Sequence, residues 1–214
     1  MKRIGLAFAT VLLLPLTTIA QSAPRVEVFG GYGFARTGGI RDSQTRDKNL
    51  HGWASSVVFS PLDWFGIEGS VSGHYGRGQS TVALAPIPGI PSPTSSTRTS
   101  ASLYTFTAGP RFSARSDRIT GYGHVLAGAA RYHQELDFSV SYIPLPDPLI
   151  SATFKQTRFA AVFGGGVDLK VTDRISVRLV EVDYLLTRFR EPDTSRLQSG
   201  LRLSTGIVLS FGHR

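Results

Sequence analysis

From Leu201 the chain alternates strictly. Leu201, Leu203, Thr205, Ile207, Leu209 and Phe211 take one face, and Arg202, Ser204, Gly206, Val208 and Ser210 take the other. A period of two predicts a β-strand with two unlike environments. One side is apolar; the other carries small residues and a single Arg. The same pattern recurs upstream. Over Arg25–Ala35, Val26, Val28, Gly30, Tyr32 and Phe34 oppose Glu27, Phe29, Gly31 and Gly33. Leu50–Ser60 places Trp53, Val57 and Phe59 at alternate positions, with the least distinct facing of the set. Phe65–Gly76 sets Phe65, Ile67, Gly69, Val71, Gly73 and Tyr75 against Glu68, Ser70, Ser72 and His74.

The second half of the chain continues in kind. Thr99–Ser113 puts Tyr104, Phe106, Ala108, Pro110 and Phe112 opposite Leu103, Thr105, Thr107 and Arg111. Ile119–His133 aligns Tyr122, His124, Leu126 and Gly128. Lys155–Val171 sets Phe159, Ala161, Phe163, Gly165 and Val167 against Val162, Gly164, Gly166 and Asp168. Ile175–Arg190 is ambiguous, because Arg178 and Asp183 have opposite parity. Either one of them faces out or a bulge intervenes. With the closing strand from Leu197, eight strands are predicted.

The connections sort by parity. Thr37–Asn49, Arg77–Arg98 and Gln134–Phe154 are long, whereas Pro61–Trp64, Ala114–Arg118 and Thr172–Arg174 are tight turns. Glu191–Arg196 is a modest last loop. A soluble sandwich has no reason to sort its loops this way. A membrane barrel does, with short turns on one side of the bilayer and freely growing loops on the other. The expected fold is therefore all-β, an eight-stranded antiparallel up-and-down transmembrane barrel. Both termini belong on the short-turn side, and a closed ring satisfies every backbone group within the bilayer. Aromatics near strand ends (Trp53, Trp64, Phe65, Tyr75, Phe112, Tyr122, Tyr132, Phe154, Phe189) are candidates for the interfacial girdles.

Composition fits. Hydrophobic residues make up 41% of the 214, and Gly contributes 23. That is too polar for a helical membrane protein and suits strands that are only half apolar. Lys2 and Arg3, the apolar run within Ile4–Ile19, and the small residues Thr18, Ala20 and Ser22 read as a secretory signal. Cleavage after Ala20 or Ser22 fits, so residues 1–22 are expected to be a signal peptide and 23–214 the barrel domain. With no Cys there is neither a disulfide nor a lipidation cysteine. Removing Lys2 and Arg3 lowers the formal charge from +8 to +6. The basic residues are scattered, which points to anionic lipopolysaccharide headgroups and away from nucleic acid.

The stretch FAAVFGGGVDLKVTDRISVRLVEVDYLLTRF at 159–189 and LRLSTGIVLSFG from Leu201, with GPRF at Gly109–Phe112 and HVLAGAAR at His124–Arg131, resembles small eight-stranded outer-membrane proteins. The family is the OmpA/OmpX-like β-barrel superfamily, and the resemblance runs from about Arg25 onward. It implies the bacterial outer membrane, contact with outer-membrane lipid and lipopolysaccharide, and handling by the barrel-assembly machinery through the C-terminal strand. It does not specify an activity, because the superfamily includes porins, adhesins, resistance factors and enzymes. The chain ends at strand eight, so peptidoglycan anchoring is not carried over. Gly212–Arg214 also run past the terminal aromatic, an imperfect fit to the assembly-signal pattern.

The non-lipid face collects Glu27, Glu68, Arg111, His124, Asp168 and Arg202, with Arg178, Glu181 or Asp183 joining from strand seven. An eight-stranded barrel is just wide enough for side chains to fill it, and charges of both signs there should pair. A structural salt-bridge plug is expected, with a proton or ion path as the functional alternative. A hydrolase would need Ser, His and a carboxylate together; His133, Glu135 and Ser141 can be imagined so, but no spacing marks them. His51, His74 and His133 lack metal-ligand spacing. GGYG at Gly30–Gly33 and GGGVD at Gly164–Asp168 open no helix, so they are not phosphate loops. The expectation is a non-enzymatic monomer needing no cofactor or metal. It would act through membrane integrity and surface loops, with a possible ligand at VALAPIPGIPSP (Val82–Pro93) and YIPLPDPLI (Tyr142–Ile150). A narrow porin or hydrophobic-solute channel, and a lipid-modifying envelope enzyme, are the alternatives.

Overall fold

Eight antiparallel strands follow one another around a closed ring in chain order: β1 (Val26–Gly38), β2 (Lys48–Phe59), β3 (Phe65–Ala83), β4 (Thr94–Arg115), β5 (Ile119–Val140), β6 (Ile150–Lys170), β7 (Ile175–Arg190) and β8 (Ser195–Phe211). The computed structural model describes residues 25–38, 48–84, 94–140, 150–190 and 195–212. The ring closes between β1 and β8, in register from Val26↔Phe211 to Gly38↔Ser199. Tight turns join β2 to β3, β4 to β5 and β6 to β7. In the last of these, the Thr172 hydroxyl accepts the Ile175 N–H at 3.1 Å. The expected signal peptide lies outside the described residues.

Two features depart from the sequence reading. The long connections are shorter than expected, because β3 and β4 pair out to Ala83↔Thr94 and β5 and β6 to Phe138↔Ile150. Stretches such as TSSTRTS carry no apolar face and so read as loop. Yet Thr has high strand propensity, and the ladder needs only backbone groups. Four strands thus rise beyond the other four. The apolar loop segments fall mostly at 85–93 and 141–149, outside the described residues.

The second departure settles β7. Arg178 pairs with Gly206 and Glu181 with Ser204, so two residues of β7, Leu179 and Val180, stand against one of β8. The slip reverses parity. Leu179 and Val180 both face outward, at 52% and 43% exposure, while Arg178, Glu181 and Asp183 all turn inward. The bulge is how one strand supplies three successive interior charges without exposing any to lipid.

Facing elsewhere follows the alternation. On β2, Trp53, Val57 and Phe59 face out, and Ala54, Ser56 and Val58 are buried. Trp64, Phe65 and Phe112 cluster at the short-turn end, with Trp64 stacked on Phe112 at 6.2 Å. Trp53 and Tyr75 stand on the outer wall toward the other end. Two girdle candidates are corrected. Tyr122 is buried in the interior and Tyr132 packs against the interior apolar cluster, whereas Phe154 is 52% exposed. The side chain of Phe189 is outside the described set.

The interior has two tiers. Toward the short turns it is charged, with Phe29, Ala54 and Val208 forming a small apolar cluster among the charges. Toward the long loops it is apolar, built on Leu50, Leu103, Leu126, Val162 and Leu185 with small alanines between them. On each strand that contributes to both, the apolar residue lies nearer the long-loop end: Leu103 precedes Arg111, Leu126 follows His124, Val162 precedes Asp168, and Leu185 follows Asp183.

Candidate functional site

The polar tier starts at the short-turn mouth, where Arg115 donates to Glu27 at 3.1 Å and to the Asp63 carbonyl. Above it stands Arg111, fully buried. Its guanidinium lies 3.5 Å from Glu27, 3.6 Å from Glu68 and 3.4 Å from Asp168, and 3.6 Å above the Tyr122 ring centroid. One cation thus serves three carboxylates from β1, β3 and β6. Arg178 donates from Nε to Asp168 at 2.9 Å, and its Nη1 reaches Glu181. The Phe29 ring lies 4.0 Å beneath its guanidinium.

Glu181 also accepts from the Tyr122 hydroxyl and from Ser204 at 2.8 Å. His124 bridges two carboxylates: Nδ1 is 3.1 Å from Glu68 and Nε2 is 2.9 Å from Asp183. With Glu68 and Asp183 both ionised, both ring nitrogens carry hydrogens and the ring is a cation. Arg202 caps the tier, donating to Asp183 at 2.9 Å through Nε and to Ser72 at 2.9 Å through Nη1. The five carboxylates of Glu27, Glu68, Asp168, Glu181 and Asp183 equal in number the cations Arg111, Arg115, Arg178, Arg202 and His124 that share them.

Two glycines make room for this tier. A Cβ on Gly166 would lie 2.6 Å from the Tyr122 hydroxyl, and one on Gly164 would run into the Asp183 carboxylate. The sequence residues Glu27, Glu68, Arg111, His124, Asp168 and Arg202 all come together here. Tyr122, Arg115 and Ser204 also belong to the cluster and lie beyond the sequence reading of it. Tyr122 shares the inward parity of His124, which is the available signal.

The other described histidines are divided by the wall. His74 is buried in the lumen beside Gly33, whereas His51 and His133 are on the outer face, so the three cannot share an ion. Glu68, His124 and Glu181 bring potential metal-ligand atoms within 4.8 Å of one another. Those atoms already serve Arg178, Tyr122, Ser204 and the imidazole-to-carboxylate bonds. His133 and Glu135 line an outer groove; Ser141 is outside the described residues.

Residues 6–204 match the model of the outer membrane protein beta-barrel domain. No curated protein matches the chain. Among solved structures it resembles Ail, the attachment invasion locus protein of Yersinia pestis, with a TM-score of 0.52 and 17% identity over 87% of this chain and 99% of that one. Neisserial surface protein A is similar at a TM-score of 0.50 and 11% identity, over 89% of this chain and 100% of that one. At these identities the likeness is one of fold.

Proposed function

The chain belongs to the outer membrane protein beta-barrel domain family and resides in the bacterial outer membrane; from that premise we propose a non-enzymatic barrel with a closed lumen, acting through membrane integrity and surface-loop interactions. The observation that carries this reading is the two-tier interior. A polar solute would have to displace Leu103, Leu126, Val162 and Leu185, and an apolar one would have to pass the ion-paired tier beneath them. A porin needs a lumen continuous in one character or the other. Against an enzyme stands His124, the histidine that among the described residues bonds carboxylates: it is 3% exposed and spends both ring nitrogens on them. That leaves none to activate a nucleophile. Residues 1–22 serve in this reading as the export signal.

Function then falls to the long-loop end. The segments at 85–93 and 141–149 contain the apolar runs Pro86–Ile90 and Pro144–Leu149, whose prolines fix φ and reduce the entropy lost on docking. Ile and Leu are apolar, and apolar side chains exposed together often mark a contact site. Replacing both with short Gly/Ser turns should leave the barrel folded and heat-modifiable on gels while abolishing cell-surface adhesion. A variant that cannot fold would make the segments structural and remove the binding role. Epitope tags at Gln44, Ile90 and Asp147 should label on intact cells, and one between Asp173 and Arg174 should not. The reverse pattern would invert the orientation.

A further inference from the structure

We propose that the outer wall of the barrel, at its long-loop end, binds a phosphate group of an outer-leaflet glycolipid in the groove between His51, Arg77 and His133. The proposal rests on the outer-membrane reading above and deepens its membrane-integrity half by locating the lipid contact.

The lipid-facing rows change character at one level. On β3 the outward series Ile67, Gly69, Val71, Gly73 and Tyr75 is followed by Arg77. On β5, Val125, Ala127 and Ala129 give way to Arg131 and His133. On β6, Phe163, Ala161 and Phe159 give way to Thr157 and Lys155. The ladders put these changes side by side: His51 pairs with Tyr75, Tyr75 with Ser102, Ser102 with His133, and His133 with Lys155. Between them is an open groove of about 550 Å³, with Ser100 and Ser102 on its floor and Glu135 as its one carboxylate.

Among the described residues, no carboxylate lies within ion-pair distance of Arg77, Arg131, His133 or Lys155. Arg77, Arg131 and Lys155, cations that lack an internal partner, set beside hydroxyl and imidazole groups, suit a phosphate better than a carboxylate because more oxygens can accept at once. The opposite rim is mixed. There Asp63, Asp117 and Asp173 stand among the basic residues, and Lys170 is paired with Asp173 at 2.8 Å.

What selects a lipid over a free anion is continuity. The groove opens directly above an apolar outer wall, and its lower edge is Tyr75, whose hydroxyl meets that of Tyr104 at 3.0 Å. Paired tyrosines with one wet end are the side chains that sit at a membrane–water boundary. An amphiphile can place its acyl chains on Val71 and Phe106 and its phosphate at Arg77. A free phosphate would gain nothing from the wall below.

The test measures lipid retention on the purified full-length barrel in mild detergent by native mass spectrometry. Phosphorylated lipid A, chemically dephosphorylated lipid A and inorganic phosphate serve as probes. Wild-type protein should hold the phosphorylated lipid at least about tenfold more tightly than the dephosphorylated one, a difference of about 1.4 kcal/mol. The variant R77Q/H133Q/K155Q, whose changes lie outside the lumen, should lose that preference while keeping its heat-modifiable mobility. Equal retention of the two lipids by wild type would mean that only acyl chains are recognised and would overturn the proposal, whether or not the variant folds. So would an unchanged preference in the variant. Full displacement of the lipid by millimolar inorganic phosphate would replace the membrane source with a free anion. A conducting lumen or a dispensable loop pair would defeat the preceding reading without altering any of these retentions.

Discussion

Arg111→Ala should destabilise the folded barrel by about 3–5 kcal/mol, the range for breaking a buried ion pair from one side. The guanidinium is fully buried, with Glu27, Glu68 and Asp168 at 3.4–3.6 Å, and its removal withdraws the cation that these three carboxylates share, leaving Glu27 with Arg115 alone. Asp168 keeps Arg178 and Glu68 keeps His124, so the loss stops short of unfolding the whole tier. Combining Arg111→Ala with Glu68→Gln should recover part of the loss, because residues in one network are not additive. Urea unfolding in micelles, followed by the fluorescence of Trp53 and Trp64, reads both effects. Arg77→Ala on the outer rim should stay within about 0.5 kcal/mol under the same conditions. If Arg111→Ala proved equally mild, the tier would be packing and not electrostatic closure.

Leu126→Ala should cost about 2–5 kcal/mol, through the lost transfer of the side chain and the cavity left in the apolar tier. Leu126 has no exposed surface and lies among Leu103, Val162 and Leu185. Its neighbour Val125 faces outward at 46% exposure, where lipid fills any space left behind. Val125→Ala should therefore cost only the transfer of the lost carbons, about 1–2 kcal/mol. The contrast between adjacent residues on one strand separates interior packing from lipid contact. Equal losses at the two positions would show that the upper lumen is not close-packed.

The alternation of apolar and polar positions is enough to read the strand count, the up-and-down order and the facing of most strands, because lipid on one side and a filled lumen on the other enforce a strict period of two. Six of the interior polar residues are legible for the same reason: Glu27, Glu68 and Arg202, for example, stand in rows whose other faces are plainly lipid-facing. Strand seven is not fully legible, since a bulge reverses parity and leaves no local mark beyond the adjacent Leu179 and Val180. The upward extensions of β3 to β6 escape a sequence reading because both of their faces are wet there, so no periodicity records the pairing. The apolar tier is present in the sequence as Leu103, Leu126 and Val162 on the interior parity. Seen one strand at a time, these look like isolated exceptions to a charged plug. Only the barrel's closure brings them to one level.

That closure is the central claim, and conductance tests it most directly. Purified wild-type barrel reconstituted into planar bilayers should give no sustained single-channel steps across the applied voltages, because neither tier leaves a continuous path of one polarity. Large, stable, reproducible currents from the same preparation would contradict the closed lumen and assign the protein a channel function instead.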